Sequence, residues 1–324
     1  MDMHYTTLGN TGLRVSVAGF GCGGNSRLGQ GQNKSEADSV RLVKRALDLG
    51  INFFDTAQAY GTEEIVGKAI SGHARSDVVI STKAQIVHAG TRLSAGEVIE
   101  SLEGSLVRLQ TDFVDIFHLH GVAPDDYQYA CDVLAPALLA AKQEGKIRHL
   151  GITETAVRDT SHAMLHQATA SDLWEVIMFA FHMLNQNARP QVFPAARARG
   201  IGTLLMFVVR NIFSQPAYLK EAVETLVSRG ALDRNTVDVD DPLGFLVHEG
   251  GAESIVDAAY RFARHEPGTD VVLFGTGSVD HLESNVGSIL RPALPEKDVD
   301  RLYELFGALE GIGLDAPDRM QASG

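Results

Sequence analysis

The chain has 324 residues, 44% apolar and 21% charged; it is long enough for one large core or two ordinary ones and has no tract able to span a membrane. Against 28 Lys and Arg stand 41 Asp and Glu, a net charge of −13 that argues against nucleic acid or anionic lipid as the main partner. Two cysteines, Cys22 and Cys131, make no disulfide framework, and the opening MDMHYTTLGN lacks signal-peptide character, so a cytoplasmic protein with reduced thiols is expected.

Along the chain, short apolar or β-branched runs alternate with helix-length amphipathic segments. VAGFGC (17–22) is followed by a pattern over 35–50 that starts at a Ser35 cap and stops at Gly50. NFFDTA (52–57) precedes EEIVGKAI, for which Thr62 is the expected cap. VVISTK (78–83) leads into a helical pattern over 94–110, and FVDIFHLH (113–120) into another over 133–145. RHLGIT (148–153), WEVIMFAF (174–181) and GTLLMF (202–207) follow. A long connection over 208–251 contains the helical stretch PAYLKEAVETLVSRG, and a pattern over 252–266 leads to VVLFGT (271–276). Eight strands alternating with helices imply parallel pairing, which predicts α/β architecture: a single (β/α)8 TIM barrel over 1–324. The tail from 314 to 324 reads as frayed and polar.

A doubly wound sheet is the rival, because GFGCGG (19–24) fits G-x-G-x-x-G. That fingerprint needs a helix to open inside it and meet a pyrophosphate. Here it runs into NSRLGQGQNK, which is loop-like, so a glycine-rich exit from a first barrel strand explains it as well.

In a parallel barrel, functional groups collect where strands finish. Asp55 closes the second strand, Tyr60 lies in the loop after it, Lys83 closes the third and His120 the fourth. A phenol has a reference pKa of about 10. A nearby ammonium draws it down, a carboxylate keeps that ammonium charged and oriented, and an imidazole polarises a carbonyl oxygen. Such a set protonates an oxygen as it gains charge, and the electron pair must come from a cofactor. Taken singly, each residue has a bland reading as cap, turn residue or solvated charge; four on consecutive strands make coincidence a poor explanation. His118 and His120 share a strand face and raise a zinc-hydrolase alternative, but later strand ends supply few ligands. His118 is therefore expected one layer deeper, hydrogen-bonded inside the barrel, and no metal is expected. None of the seven tyrosines is followed by Lys in a Tyr-x-x-x-Lys spacing.

The chain resembles the aldo-keto reductases. YTTLGNTGLRVSVAGFGCG looks like that family's N-terminal hairpin (1–16 here) and first strand, and INFFDTAQAYGTEEIVGKAI is similar to its most specific signature. GKIRHLGIT and GTGSVDHLESNV match two later blocks. The resemblance implies a tetrad of Asp55, Tyr60, Lys83 and His120, with Tyr60 as general acid. It also implies NADP or NAD bound extended across the barrel mouth, and a small carbonyl or alcohol substrate. By position, cofactor contacts fall on Gly21 and Cys22, on Thr153 and Glu154 where the family has Ser-Asn, and on Met178 where it has Gln. Met206 or Phe207 takes the place of a stacking aromatic, and Arg210 can pair with the diphosphate. Gly275, Thr276, Gly277, Ser278, His281 and Asn285 complete the set. His281 stands where NADP-binding members often carry Arg, which predicts NAD use or relaxed specificity. Tyr127 and Tyr129 either wall a substrate pocket or cover the fourth helix, and 208–251 either carries specificity or is scaffold. A catalytically weak, nucleotide-sensing barrel is the alternative that keeps the fold.

Overall fold

The computed structural model describes residues 2–314. A hairpin of β1 (Tyr5–Thr7) and β2 (Arg14–Ser16) precedes the first barrel strands, β3 (Ala18–Gly21), β4 (Phe53–Asp55) and β5 (Val79–Gln85). A small hairpin, β6 (Val87–His88) with β7 (Thr91–Arg92), follows. Then come β8 (Val114–Val122), β9 (Ile147–Glu154), β10 (Val176–Ala180), β11 (Gly202–Met206) and β12 (Val271–Phe274). Each of the eight expected runs holds a barrel strand. They close in the order β3-β4-β5-β8-β9-β10-β11-β12, with β12 returning in parallel to β3.

Alternation along each strand fills the barrel. Phe53, Val79, Ile116, Val176, Leu204 and Leu273 point inward and pack with Leu8, Leu13 and Val15, which the N-terminal hairpin inserts from the strand-start end. Gly19 has no Cβ because one would lie 2.6 Å from Val271 and 2.7 Å from Leu273. The hairpin turn is fastened by Asp270, whose Oδ2 accepts from the backbone amides of Gly9 (3.1 Å) and Thr203 (3.0 Å). Each buried aliphatic or phenyl side chain in this plug contributes roughly 1.5–3 kcal/mol.

The outer layer follows the helical periodicity. Helix α1 (Glu36–Asp48) buries Ser39, Leu42, Val43 and Ala46, and Ser35 with Asp38 forms a reciprocal cap at its start. Ser94 and Glu97 do the same for the helix Ala95–Leu109. Thr62 behaves differently. It precedes the helix Glu63–Ile70 but does not cap it; its hydroxyl pairs with that of Thr56 at 2.9 Å. The fourth helical segment also departs from expectation. A wide π-type turn over Ala130–Leu134 leads into the helix Ala135–Gln143, where Pro136 has no amide to donate back to the preceding turn.

The long connection after β11 holds the helices Asn211–Ser214 and Pro216–Ser228 and a short turn at Gly244–Leu246. Its Phe213, Leu219, Val223, Leu243 and Leu246 are buried in the main core, so much of it is scaffold. The expected frayed tail begins too early: Leu314 is buried against Ala156 and Ala180, and residues 315–324 lie outside the described residues. Among the described residues no helix is long and apolar enough to cross a membrane.

Candidate active site

Strand register brings the four strand-end groups together. Asp55 lies opposite Ser81, Lys83 opposite His118, and Gln85 opposite His120, so the inward positions of β4, β5 and β8 share one mouth. Lys83 Nζ donates to Asp55 Oδ2 (2.7 Å) and to the Thr56 carbonyl (2.8 Å). The ammonium also sits 4.9 Å from the centroid of the Tyr60 ring. Tyr60 rides on a tight turn, Gln58–Tyr60, closed by Gly61 in the left-handed region at φ 67°. Its hydroxyl is 3.5 Å from His120 Nε2, and the two rings meet edge to face at 5.6 Å.

Burial and charge compete here. Burial works to lower the Lys83 pKa, but Asp55 and Tyr60 push it up, and the net direction is upward: an ammonium is held inside the barrel. For Tyr60 the outcome differs from the expectation. Burial raises the phenol, Lys83 lowers it, and the net direction is upward, so Lys83 moderates a buried phenol rather than bringing it below its ordinary value. Tyr60 is therefore protonated at neutral pH, the state a proton donor needs. Burial and Lys83 together bring His120 down to about 3, which leaves a neutral imidazole. Its Nδ1 has no hydrogen-bond partner among the described residues.

His118 is one layer deeper, as expected; its ring interacts with the Ile152 backbone, though neither nitrogen makes a hydrogen bond of normal geometry among the described residues. Its ring lies where a Gly151 Cβ would be, 2.2 Å from Nδ1. Burial first, then Lys83, hold its pKa well below the ordinary histidine value. Among the described residues no three His, Cys, Asp or Glu side chains converge as a metal site would require.

The positions expected to grip a cofactor divide into two groups. At the end of β9, Thr153 Oγ1 accepts from the Gly121 amide at 2.7 Å. Glu154 is turned away from the mouth: its carboxylate takes His162 Nδ1 at 2.6 Å and the Ala180 amide at 2.8 Å. Met178 is buried in the apolar barrel interior. These three therefore offer no free carboxamide clamp of the expected kind. Met206 and Phe207 are half-buried near Ala180 and Leu314, Phe207 has a left-handed backbone (φ 64°), and the Arg210 guanidinium lies 4.4 Å over its ring.

The second group is at the β3 and β12 exits. Gly21 pairs with Asp55, and the Cys22 amide donates to the Asp55 carbonyl at 2.8 Å. The Cys22 thiol is buried, and burial followed by Asp55 pushes its pKa up. A Gly275 Cβ would approach the Gly21 carbonyl at 3.0 Å. Thr276 Oγ1 accepts from the Ser278 amide at 3.1 Å, and the Ser278 side chain leaves the start of the helix Val279–Leu290 uncapped. His281 is exposed and Asn285 half-buried on that helix. Phosphate-bearing chemistry fits this end, where a helix start presents amides. Lys34 was not expected there: it comes from the β3–α1 connection, and its Nζ donates to the Gly277 carbonyl at 2.5 Å.

Tyr127 and Tyr129 serve the outer layer. The Tyr127 hydroxyl bonds the Gln167 carbonyl and Trp174 Nε1, and that of Tyr129 bonds the Leu93 carbonyl, with Arg92 over its ring. Sequence reading missed Ser81, whose Oγ donates to Asp55 Oδ1 at 2.8 Å, Gly23, whose missing Cβ makes room for the Tyr60 ring, and Arg27, whose Nε donates to the Tyr60 carbonyl at 2.8 Å. Ser81 was within reach of a two-residue count back from Lys83; nothing local marked the other two.

A family model described as "Aldo/keto reductase family" matches residues 20–306. The chain is 29% identical over 315 residues to a protein named L-galactose dehydrogenase from Arabidopsis thaliana, covering 94% of each chain. It is 27% identical over 331 residues to aldo-keto reductase YhdN from Bacillus subtilis, covering 93% of this chain and 94% of the other. Among solved structures it is similar to the holo form of aldo-keto reductase AKR11C1 from Bacillus halodurans, at a TM-score of 0.72 and 25% identity, over 95% of this chain and 98% of that one.

Proposed function

Since the chain belongs to the aldo-keto reductase family of oxidoreductases, we propose that it interconverts a small aldehyde, ketone or sugar and its alcohol, with Tyr60 as general acid and base. The observation that carries this reading is the buried contact chain from Asp55 through Lys83 to the Tyr60 ring, with the Tyr60 hydroxyl beside a neutral His120. A nicotinamide dinucleotide, when bound, supplies or accepts the hydride. The side chains supply the rest. His120 Nε2 and the Tyr60 hydroxyl present two groups to a carbonyl oxygen; Tyr60 gives up its proton as that oxygen becomes an alkoxide. The Lys83 ammonium stabilises the phenolate left behind, and Asp55 keeps the ammonium charged and aimed. In the opposite direction the same phenolate takes the proton from an alcohol. The name of the Arabidopsis relative supports including a sugar among the substrates.

NAD and NADP both belong to the proposal. Gly275, Thr276, Gly277 and Ser278 would hold phosphate, and Lys34 brings a cation to Gly277 that the helix itself lacks. Thr153, Glu154 and Met178 fit a carboxamide poorly, which favours a second reading as a nucleotide-binding barrel with weak turnover.

Purified protein should consume NADPH or NADH with a generic aldehyde, followed at the nicotinamide absorbance. Tyr60→Phe should lower kcat by roughly 10²–10⁴-fold while sparing cofactor affinity. Wild-type turnover in that variant rejects Tyr60 as the acid; tight dinucleotide binding with no turnover on a broad carbonyl panel selects the second reading. Binding is best read from nicotinamide fluorescence, because the single tryptophan, Trp174, is buried at the strand-start end of β10.

A further inference from the structure

We infer that Ser81 is a positioning residue of the proton relay: its hydroxyl holds one oxygen of Asp55 so that the other stays on Lys83. The inference rests on Tyr60 being the general acid and extends that reading by one residue.

β4 and β5 run in parallel with Asp55 opposite Ser81, and alternation puts Val79, Ser81 and Lys83 on the inward face of β5. Ser81 is fully buried, and its partner across to β8 is the apolar Ile116. An apolar side chain would fill this position as well, whereas a buried hydroxyl needs an acceptor. The acceptor is Asp55 Oδ1 at 2.8 Å, while Oδ2 takes Lys83 at 2.7 Å. Each carboxylate oxygen thus has its own donor. Of the three protons on Lys83, one goes to Asp55 and one to the Thr56 carbonyl; the third is left for the side on which the Tyr60 ring lies.

Without the hydroxyl, Oδ1 becomes a buried acceptor with no side-chain donor. The carboxylate can then rotate to offer both oxygens to the ammonium, which turns the lysine protons away from the phenol. The cost falls on proton transfer. Binding is spared, since Ser81 lies below the mouth and has no exposed surface.

Ser81→Ala should therefore lower kcat roughly tenfold, the size of one hydrogen bond to a charged group. KM for the carbonyl and the NADPH dissociation constant from nicotinamide fluorescence should stay within twofold. The alkaline limb of the kcat/KM profile should move to higher pH, because the phenolate is less well stabilised. Ser81→Thr, which keeps the hydroxyl, should restore both rate and limb. If thermal melting shows Ser81→Ala unfolded, the near-isosteric Ser81→Cys replaces it, with a loss of the same kind expected from its weaker donor. A folded variant with wild-type kcat and an unmoved limb overturns the inference, as does a loss that a well-folded Ser81→Thr fails to repair. Tyr60→Phe in the same panel keeps the two readings apart. If it turns over normally, the general-acid reading falls; if it is inactive while the Ser81 variants behave as wild type, only the role of Ser81 falls.

Discussion

A Cβ on Gly23 would lie 2.5 Å from Cε2 of the Tyr60 ring, closer than carbon atoms approach without one of them moving. The ring cannot give way freely, because the Arg27 Nε bond fixes the Tyr60 carbonyl and His120 stands edge-on to the ring. Gly23→Ala is therefore expected to displace the hydroxyl by a fraction of an ångström and lower kcat by roughly 10–10²-fold, since geometric errors of about 1 Å carry costs of that order. Steady-state kinetics with a thermal melt checks this: KM and Tm should move little compared with kcat. Asp55, Lys83 and His120 could be read from sequence because a polar residue closing an apolar strand is conspicuous against its neighbours. Gly23 could not, since a glycine in a loop looks the same whether or not something distant leans on it; Ser81 could be reached only by counting back two residues from Lys83 along the inward face of β5.

The end of β9 is an element whose polar groups hold the scaffold together. Glu154, the last residue of β9, ties that strand to the start of the helix Ala163–Ala170 through His162, and to β10 through the Ala180 amide. Burial favours neutral forms of both partners and raises the Glu154 pKa; for His162 burial lowers the pKa, but Glu154 more than offsets it and the net direction is upward. A histidine whose folded pKa is raised contributes stability that is complete below its unfolded value, about 6.5, and is lost as pH rises through the folded value. Glu154→Gln should therefore cost more stability near pH 6 than above pH 8, seen as a gap in Tm between variant and wild type that narrows with rising pH. A gap independent of pH would assign the loss to packing alone. Position by position, the family resemblance made Glu154 a cofactor contact; the element shows it turned into the wall, because a buried carboxylate takes the nearest donors on offer.

Across the whole molecule, ion pairs tie the outer helices to the barrel, and Glu175 is a junction among them. It receives Lys142 from the helix Ala135–Gln143 at 2.5 Å, His149 from β9 at 2.6 Å and the Leu150 amide at 3.1 Å. Burial alone would raise its pKa, but the His149 and Lys142 bonds bring it down to about 2. For a carboxylate depressed in the folded state, the stabilisation is present above the unfolded value of about 4.5 and is lost as pH falls toward 2. Glu175→Gln should flatten the fall of Tm between pH 4.5 and pH 2 compared with wild type, measured by calorimetry; an unchanged slope would place the acid sensitivity elsewhere.

The barrel itself was legible in the chain, because parallel strands buried on both faces need apolar runs and crossover helices need an amphipathic period. So was the convergence of Asp55, Lys83 and His120, through their placement at the ends of consecutive strands, with Tyr60 in the turn that follows the first of them. Only the tertiary structure decided that Ser81 faces Asp55, that Gly23 makes room for the phenol, that Glu154 turns from the mouth, and that Lys34 reaches Gly277. Those contacts join residues distant in sequence or opposite across a sheet, and strand register and loop path, rather than local pattern, bring such pairs together.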